Sequence, residues 1–304
     1  MRQPIEVVEV GLRDGLQMLP QVVPTADKLT WLRAEASSGL HRFEVGSFVP
    51  PKLMPQMADA AEVVGAARAM PGLHIAVLAP NLKGATAAME AGAHVIVMPV
   101  SASEAHCRAN VRKTPDEMVA ELARVCALRR ETGHGVKIEA GLATAFGCTL
   151  QGEVPESEVV RLAVACAEAG ADCIGLGDTV GYATPAQVRH LFRAVRDAVG
   201  EIAGSAHFHD TRGTGLANVV AALDVGIRNF DASLGGLGGC PHAPGASGNI
   251  ATEDLVFMLE SMGFDTGVDL ARLIEAQRVL ATLLPNETLH GKIAGAGMPR
   301  TFAA

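Results

Sequence analysis

The stretch EAGADCIGLGD, residues 168–178, closes one element and spells out the next. Upstream, PESEVVRLAVACAEAG repeats apolar residues at helical spacing, and Gly170 stands where a left-handed C-terminal cap is expected. The chain then turns into a short apolar run that ends in Asp178. The same phrase returns in EAGAHVIV (90–97) and, more loosely, in DVGIRNF (224–230). Gly39, Gly92 and Gly226 repeat the punctuation of Gly170. Working outward, strand-type runs are expected at 5–10, 42–47, 74–79, 94–100, 136–141, 172–178, 206–210 and 229–234. Helix patterns lie between them, such as PDEMVAELARVCALRRETG, where Thr114, Pro115 and Glu117 form a capping-box pattern. Eight such units fit an α/β fold of the (β/α)8 TIM-barrel kind, whose usual length is ~250 residues. A doubly wound open sheet is the alternative, weakened by the lack of GxGxxG after the first strand. Residues 1–304 read as one catalytic barrel domain. Residues after about 265 supply a C-terminal helix (268–284) and a Gly/Ala-rich tail, GKIAGAGMPRTFAA, expected to be poorly ordered.

With 49% apolar residues the chain can bury a large core, yet its apolar runs are strand-length and too short to span a membrane. No secretory signal pattern opens the sequence, so a cytoplasmic location is expected. The net charge of −8 and only 4% aromatics argue against a nucleic-acid surface. The six cysteines include no CxxC pair and are expected to be free thiols. Cys240 differs from the others, sitting in GGLGGCPHAPGASGN (235–249), a composition suited to a mobile catalytic lid.

In such a barrel, chemistry gathers where strands end. The first strand ends in GLRDGLQ, with Arg13 and Asp14; the second carries Glu44; the sixth ends at Asp178; the seventh holds His207 and His209. Two histidines two apart on a strand share a face, so HFHD is either a metal-binding pair or a solvated strand face. Asp14, His207, His209 and the amide of Asn249 would make a mixed N/O set suited to Mg²⁺ or Mn²⁺, with Zn²⁺ also open. Arg13 reads as an ion-pair partner of Asp14 or as a cation for a developing oxyanion. Glu44 is costly to bury unless paired, and is expected to anchor Arg13 or orient a substrate hydroxyl. Asp178 reads equally as an N-cap of the next helix.

Taken together, VEVGLRDGLQ, FEVGSFVPPKLMPQM, LAPNLKG, GLGDTVG, HFHDTRG, GGLGGCPHAPGASGN and ATEDLVFMLE, in this order over residues 8–260, resemble the 3-hydroxy-3-methylglutaryl-CoA lyase family. The family is a metal-dependent barrel group related to the isopropylmalate and homocitrate synthases. The resemblance implies cleavage of an acyl-CoA thioester to acetyl-CoA and acetoacetate, as in leucine breakdown. It implies a divalent ion on Asp14, His207, His209 and Asn249, and catalytic or substrate-facing roles for Arg13, Glu44 and Cys240. Asp178, Glu253 and Asp254 match supporting acidic positions, and a homodimer is implied. Lys83 and Lys52 are candidate contacts for coenzyme A.

The chain departs from the family pattern at Thr149, Leu150 and Gln151, where CPYEG is typical, and at His242, where Tyr is common. These positions bear on the acyl group accepted, so another branched 3-hydroxyacyl-CoA is an open alternative. A condensing synthase is a rival, disfavoured by the Cys240 loop. A non-catalytic barrel is another, disfavoured because every expected polar group is present.

Overall fold

The computed structural model describes residues 2–238 and 248–302. Among them, eight parallel strands pair in sequence order and close into a barrel. They are β1 (Glu6–Glu9), β2 (Arg42–Ser47), β3 (His74–Leu78), β4 (Val95–Ser101), β5 (Lys137–Ala143), β6 (Cys173–Asp178), β7 (Ala203–Phe208) and β8 (Asn229–Ala232). The helices α1 (Thr25–Ala36), α2 (Ala60–Arg68), α3 (Leu82–Ala91), α4 (Glu104–Val111), α5 (Pro115–Thr132), α6 (Glu156–Ala169), α7 (Pro185–Val199) and α8 (Gly215–Leu223) run outside it. Then follow α9 (Thr252–Ser261), α10 (Leu270–Leu283) and the single turn α11 (Ile293–Ala296).

The local reasons are those the sequence advertises. Gly92 and Gly170 end their helices at φ of 87° and 103°, conformations a side chain would oppose. Thr114 and Glu117 form both halves of a capping box on α5, and Thr184 with Gln187 does the same on α7. Asp178 is therefore not the N-cap of α7. It stays at the end of β6 and accepts the amides of Tyr182 (2.7 Å) and Ala183 (3.0 Å). The core lies between strands and helices, with Phe43, Phe192, Phe208 and Phe230 wholly enclosed.

Two expectations shift. The seventh strand covers Ala203–Phe208, earlier than 206–210, because its register is set by β6 and β8, with His207 facing Gly177 and Asp231. His209 lies just past its end, in an isolated antiparallel bridge with Asn249. The tail, read as poorly ordered from its composition, is anchored as far as residue 302. Asp254 accepts the amides of Lys292 (2.8 Å) and Ile293 (2.7 Å), Ile293 is buried, and Phe302 packs on Phe257 at 5.3 Å between ring centroids. α10 packs on α1 and α9, closing the barrel's outer ring.

Asp254 thus caps α11 from the first turn of α9. Asp254→Ala is expected to cost ~1 kcal/mol and to expose the bond after Lys292 to trypsin. Limited proteolysis followed by mass spectrometry would read this out as a faster cut there than in the wild type.

Candidate functional site

Beyond β1 the backbone makes a wide five-residue turn, Gly11–Gly15, in which the amides of Arg13 (3.0 Å) and Asp14 (2.7 Å) both point at the Val10 carbonyl. Such π-type turns are uncommon and recur at functional sites. This one presents Arg13 and Asp14, both buried, at the C-terminal mouth of the barrel. Arg13 Nε and Nη2 each donate to Glu44 Oε2 at 2.6 Å, and Nη1 donates to Asp14 Oδ1 at 2.5 Å. Gln17 Nε2 also donates to Asp14 Oδ1, at 2.6 Å. Both readings of Glu44 and Arg13 as partners hold in the geometry: one guanidinium bridges two carboxylates.

The second oxygen of Asp14 looks the other way. Asn249 Nδ2 donates to Oδ2 at 2.8 Å, His209 Nε2 lies 3.5 Å from it and His207 Nε2 3.9 Å. Asn249 reaches this place because residues 248–250 run beside the end of β7, where Ile250 donates to the Phe208 carbonyl and Asp210 to that of Gly248. A side chain at Gly238 would meet Asn249 Nδ2 at 2.8 Å, so the bare backbone there is required for the amide to fit. The two imidazole rings sit 5.0 Å apart.

Asp14, His207 and His209 offer one ligand atom each, all within 4.8 Å of one another. Asn249 Oδ1 beside them is buried with no hydrogen-bond partner, an orphaned acceptor where a cation would satisfy it. A carboxylate, two imidazoles and an amide oxygen form a donor set consistent with a divalent ion.

The electrostatics separate the groups. Burial would raise Asp14, yet the Arg13 guanidinium and the two histidines hold it far below the usual carboxylate range. Burial pushes Glu44 up to about 7 against the pull of Arg13. His207 is opposed by burial, but its hydrogen bond to Asp231 and the Asp14 charge raise it above the ordinary histidine value.

Of the other anticipated residues, Glu253 is wholly buried and accepts the Gly235 amide (3.0 Å) and Gln277 (2.8 Å), so it braces the segment leading to residue 239. Asp178 borders the mouth through the turn described above. Lys52 and Lys83 are exposed, on the segment after β2 and in the first turn of α3. Cys240 and His242 lie outside the described residues. Gln151 spends its carbonyl on the Ser103 hydroxyl (2.9 Å), leaving Leu150 about half exposed.

Three residues here escape a sequence reading: Gln17, Asp231 and Glu9. Asp231 on β8 pairs in register with His207 and lies 3.1 Å from its Nδ1, fixing which nitrogen faces Asp14. Glu9 in EVVE is a carboxylate inside an apolar run, the same signal that marks Glu44.

The chain matches the HMGL-like family over residues 4–280. It is 44% identical over 276 residues to the hydroxymethylglutaryl-CoA lyase YngG of Bacillus subtilis, covering 90% of this chain and 91% of that protein. It is 40% identical over 280 residues to the 3-hydroxy-3-isohexenylglutaryl-CoA/hydroxymethylglutaryl-CoA lyase of Pseudomonas aeruginosa, covering 92% and 93%. Among solved structures, an HMG-CoA lyase of Acinetobacter baumannii in complex with coenzyme A and 3-methylmalate superposes with a TM-score of 0.92 at 40% identity, covering 99% of this chain and 97% of that one.

Removing the anion behind His207 should be visible in metal binding alone. Asp231→Asn is expected to lower divalent-ion affinity about 10- to 100-fold by calorimetric titration. A proton and an ion compete for His207, whose affinity for the proton is raised. Wild-type ion affinity should therefore decline as pH falls through that raised value. In Asp231→Asn the decline should begin at lower pH.

Proposed function

Because the chain belongs to the HMGL-like family and is an HMG-CoA lyase-like carbon–carbon lyase, we propose that it cleaves 3-hydroxy-3-methylglutaryl-CoA to acetyl-CoA and acetoacetate. The observation that carries this reading is the convergence of Asp14, His207, His209 and the orphaned Asn249 Oδ1 beside the Arg13–Glu44 pair. In this reading those four residues hold Mg²⁺ or Mn²⁺, which when bound supplies Lewis acidity toward the substrate's C3 hydroxyl.

The chain's own groups would do the rest. The C3 hydroxyl must lose its proton, and Asp14, held far below the usual range, is a weak acceptor. His207 has no lone pair free for it, with Nε2 among the ion ligands and Nδ1 on Asp231, so Asp14 or a water beside it takes the proton from the hydroxyl. The C2–C3 bond then breaks, its electron pair passing to the thioester as an enolate. Arg13, fixed by Glu44, donates to the enolate oxygen. Glu44 keeps the guanidinium aligned while Asp14 faces the ion. Cys240 is the proposed acid that delivers a proton to the enolate carbon. The glycines around it suit a segment that closes during turnover.

A second substrate is favoured by a specific observation. Gln151 accepts the Ser103 hydroxyl, and Leu150 next to it stands about half exposed after β5. The P. aeruginosa relative is named for 3-hydroxy-3-isohexenylglutaryl-CoA as well as for hydroxymethylglutaryl-CoA. A longer 3-alkyl group is therefore the alternative to methyl.

Reduced protein incubated with Mg²⁺ and 3-hydroxy-3-methylglutaryl-CoA should release acetyl-CoA and acetoacetate together, and a chelator should stop both. Arg13→Gln should lower kcat by about 10²- to 10³-fold, as loss of an oxyanion donor does. Higher kcat/KM on a 3-alkenyl homologue would move the assignment to the longer substrate. Turnover unaffected by chelator would sink the metal role.

A further inference from the structure

Behind the mouth, on the outer side of β1, the Glu9 carboxylate gathers three donors. It accepts from the Gly11 amide (2.8 Å), the Leu234 amide (3.0 Å) and the Thr252 hydroxyl (2.5 Å). These belong to the turn that carries Arg13 and Asp14, to the segment that leads to residue 239, and to the first residue of α9. The next amide, Gly235, is held by Glu253. One buried anion thus ties together the three segments that assemble the site. Gly11 is part of the fit: a side chain there would meet Glu9 Oε1 at 2.6 Å and the Trp31 ring at 2.7 Å.

Glu35, in the last turn of α1, shares this pocket and is as deeply buried as Glu9. The two carboxyls lie within hydrogen-bonding reach of each other. Neither oxygen of Glu35 receives an N–H or O–H, and the nearby Trp31 indole N–H finds no acceptor in hydrogen-bond geometry. Two charged carboxylates cannot face each other in a dry pocket. Glu9 has three donors in hydrogen-bond geometry to support its charge, whereas Glu35 has only the Trp31 indole beside it, out of that geometry, so the neutral member is Glu35.

We propose that Glu35 is a positioning residue: its protonated carboxyl donates to Glu9 and holds that anion in place, and through it the turn of Arg13 and Asp14 against the Leu234 segment. The proton gives one Glu35 oxygen a partner and leaves the other to accept from the Trp31 indole. Burial drives Glu35 well above the carboxylate range, and the Glu9 charge adds to it. Burial likewise takes Glu9 to about 7, against the pull of Thr252 and the two amides. The charged groups facing the pair are Glu9 itself on β1 and Glu253 on α9. The other helices against α1 turn apolar residues inward, Val63 and Val64 from α2, Leu273 and Ala276 from α10.

The test compares the wild type with Glu35→Gln, whose amide N–H replaces the donor, and Glu35→Leu, which has none. The folded state binds this proton more tightly than the unfolded chain, whose Glu titrates near ~4.3. Wild-type stability should therefore fall as pH rises above that value, and the fall should be shallower in Glu35→Gln. The infrared band of a protonated carboxyl should lose intensity in the same variant. Glu35→Gln should keep kcat, whereas Glu35→Leu should lose about tenfold with KM little changed. A Glu35→Gln stability slope and infrared spectrum equal to wild type would overturn the proposal, as would full kcat in Glu35→Leu. The kcat comparison rests on the lyase reading; the slope and infrared comparisons need no substrate and stand if that reading fails or if Glu35→Leu does not fold.

Discussion

The Asp14 carboxylate is the hinge of the structure's chemistry. One oxygen takes Arg13 and Gln17, and the other faces His207, His209 and Asn249. A carboxylate so placed cannot move toward one set without leaving the other. Its position therefore couples the Arg13–Glu44 side of the site to the histidine side. Everything around it serves that fixity: the wide turn after β1, the Glu44 anchor on β2 and the Asp231 brace on β8. A low-dielectric setting makes each of these contacts matter more than it would in water.

The barrel was legible because the chain punctuates itself. A glycine ends a helix and an apolar run follows it, as at Gly92 and Gly170, and the order of strands follows from that repetition. What could not be read was decided by partners far away in sequence. The end of β7 is set by pairing with β6 and β8, so His209 falls beyond the strand. The tail looks featureless by composition, yet one carboxylate, Asp254, gives it two amide bonds.

The site divides along the same line. Asp14, His207, His209 and Asn249 stand in motifs whose residue types already suggest ligation, and the structure brings them together. Asp231 and Glu9 act only through neighbours, and the one local mark either bears is a carboxylate in an apolar strand. A carboxylate set in such a run is itself the signal, and Glu9 shares it with Glu44. Asp178 shows the converse: its residue type suits a helix cap, and it is spent instead on the turn before the helix.

The contact between the backbones of Gly238 and Gly248 carries a different consequence. A side chain built at Gly248 would strike the Gly238 carbonyl oxygen at 2.2 Å, so the two stems of the intervening stretch are in direct contact. The entropy of bringing those ends together is met by the barrel itself, through the strand-like pairing of residues 248–250 beside β7. For ends already joined, doubling the connecting length costs only about 0.6 kcal/mol more. Added length between the stems is thus tolerated at little cost while Asn249 stays against Asp14. Changes of length there leave the cluster of Asp14, His207, His209 and Asn249 where it is.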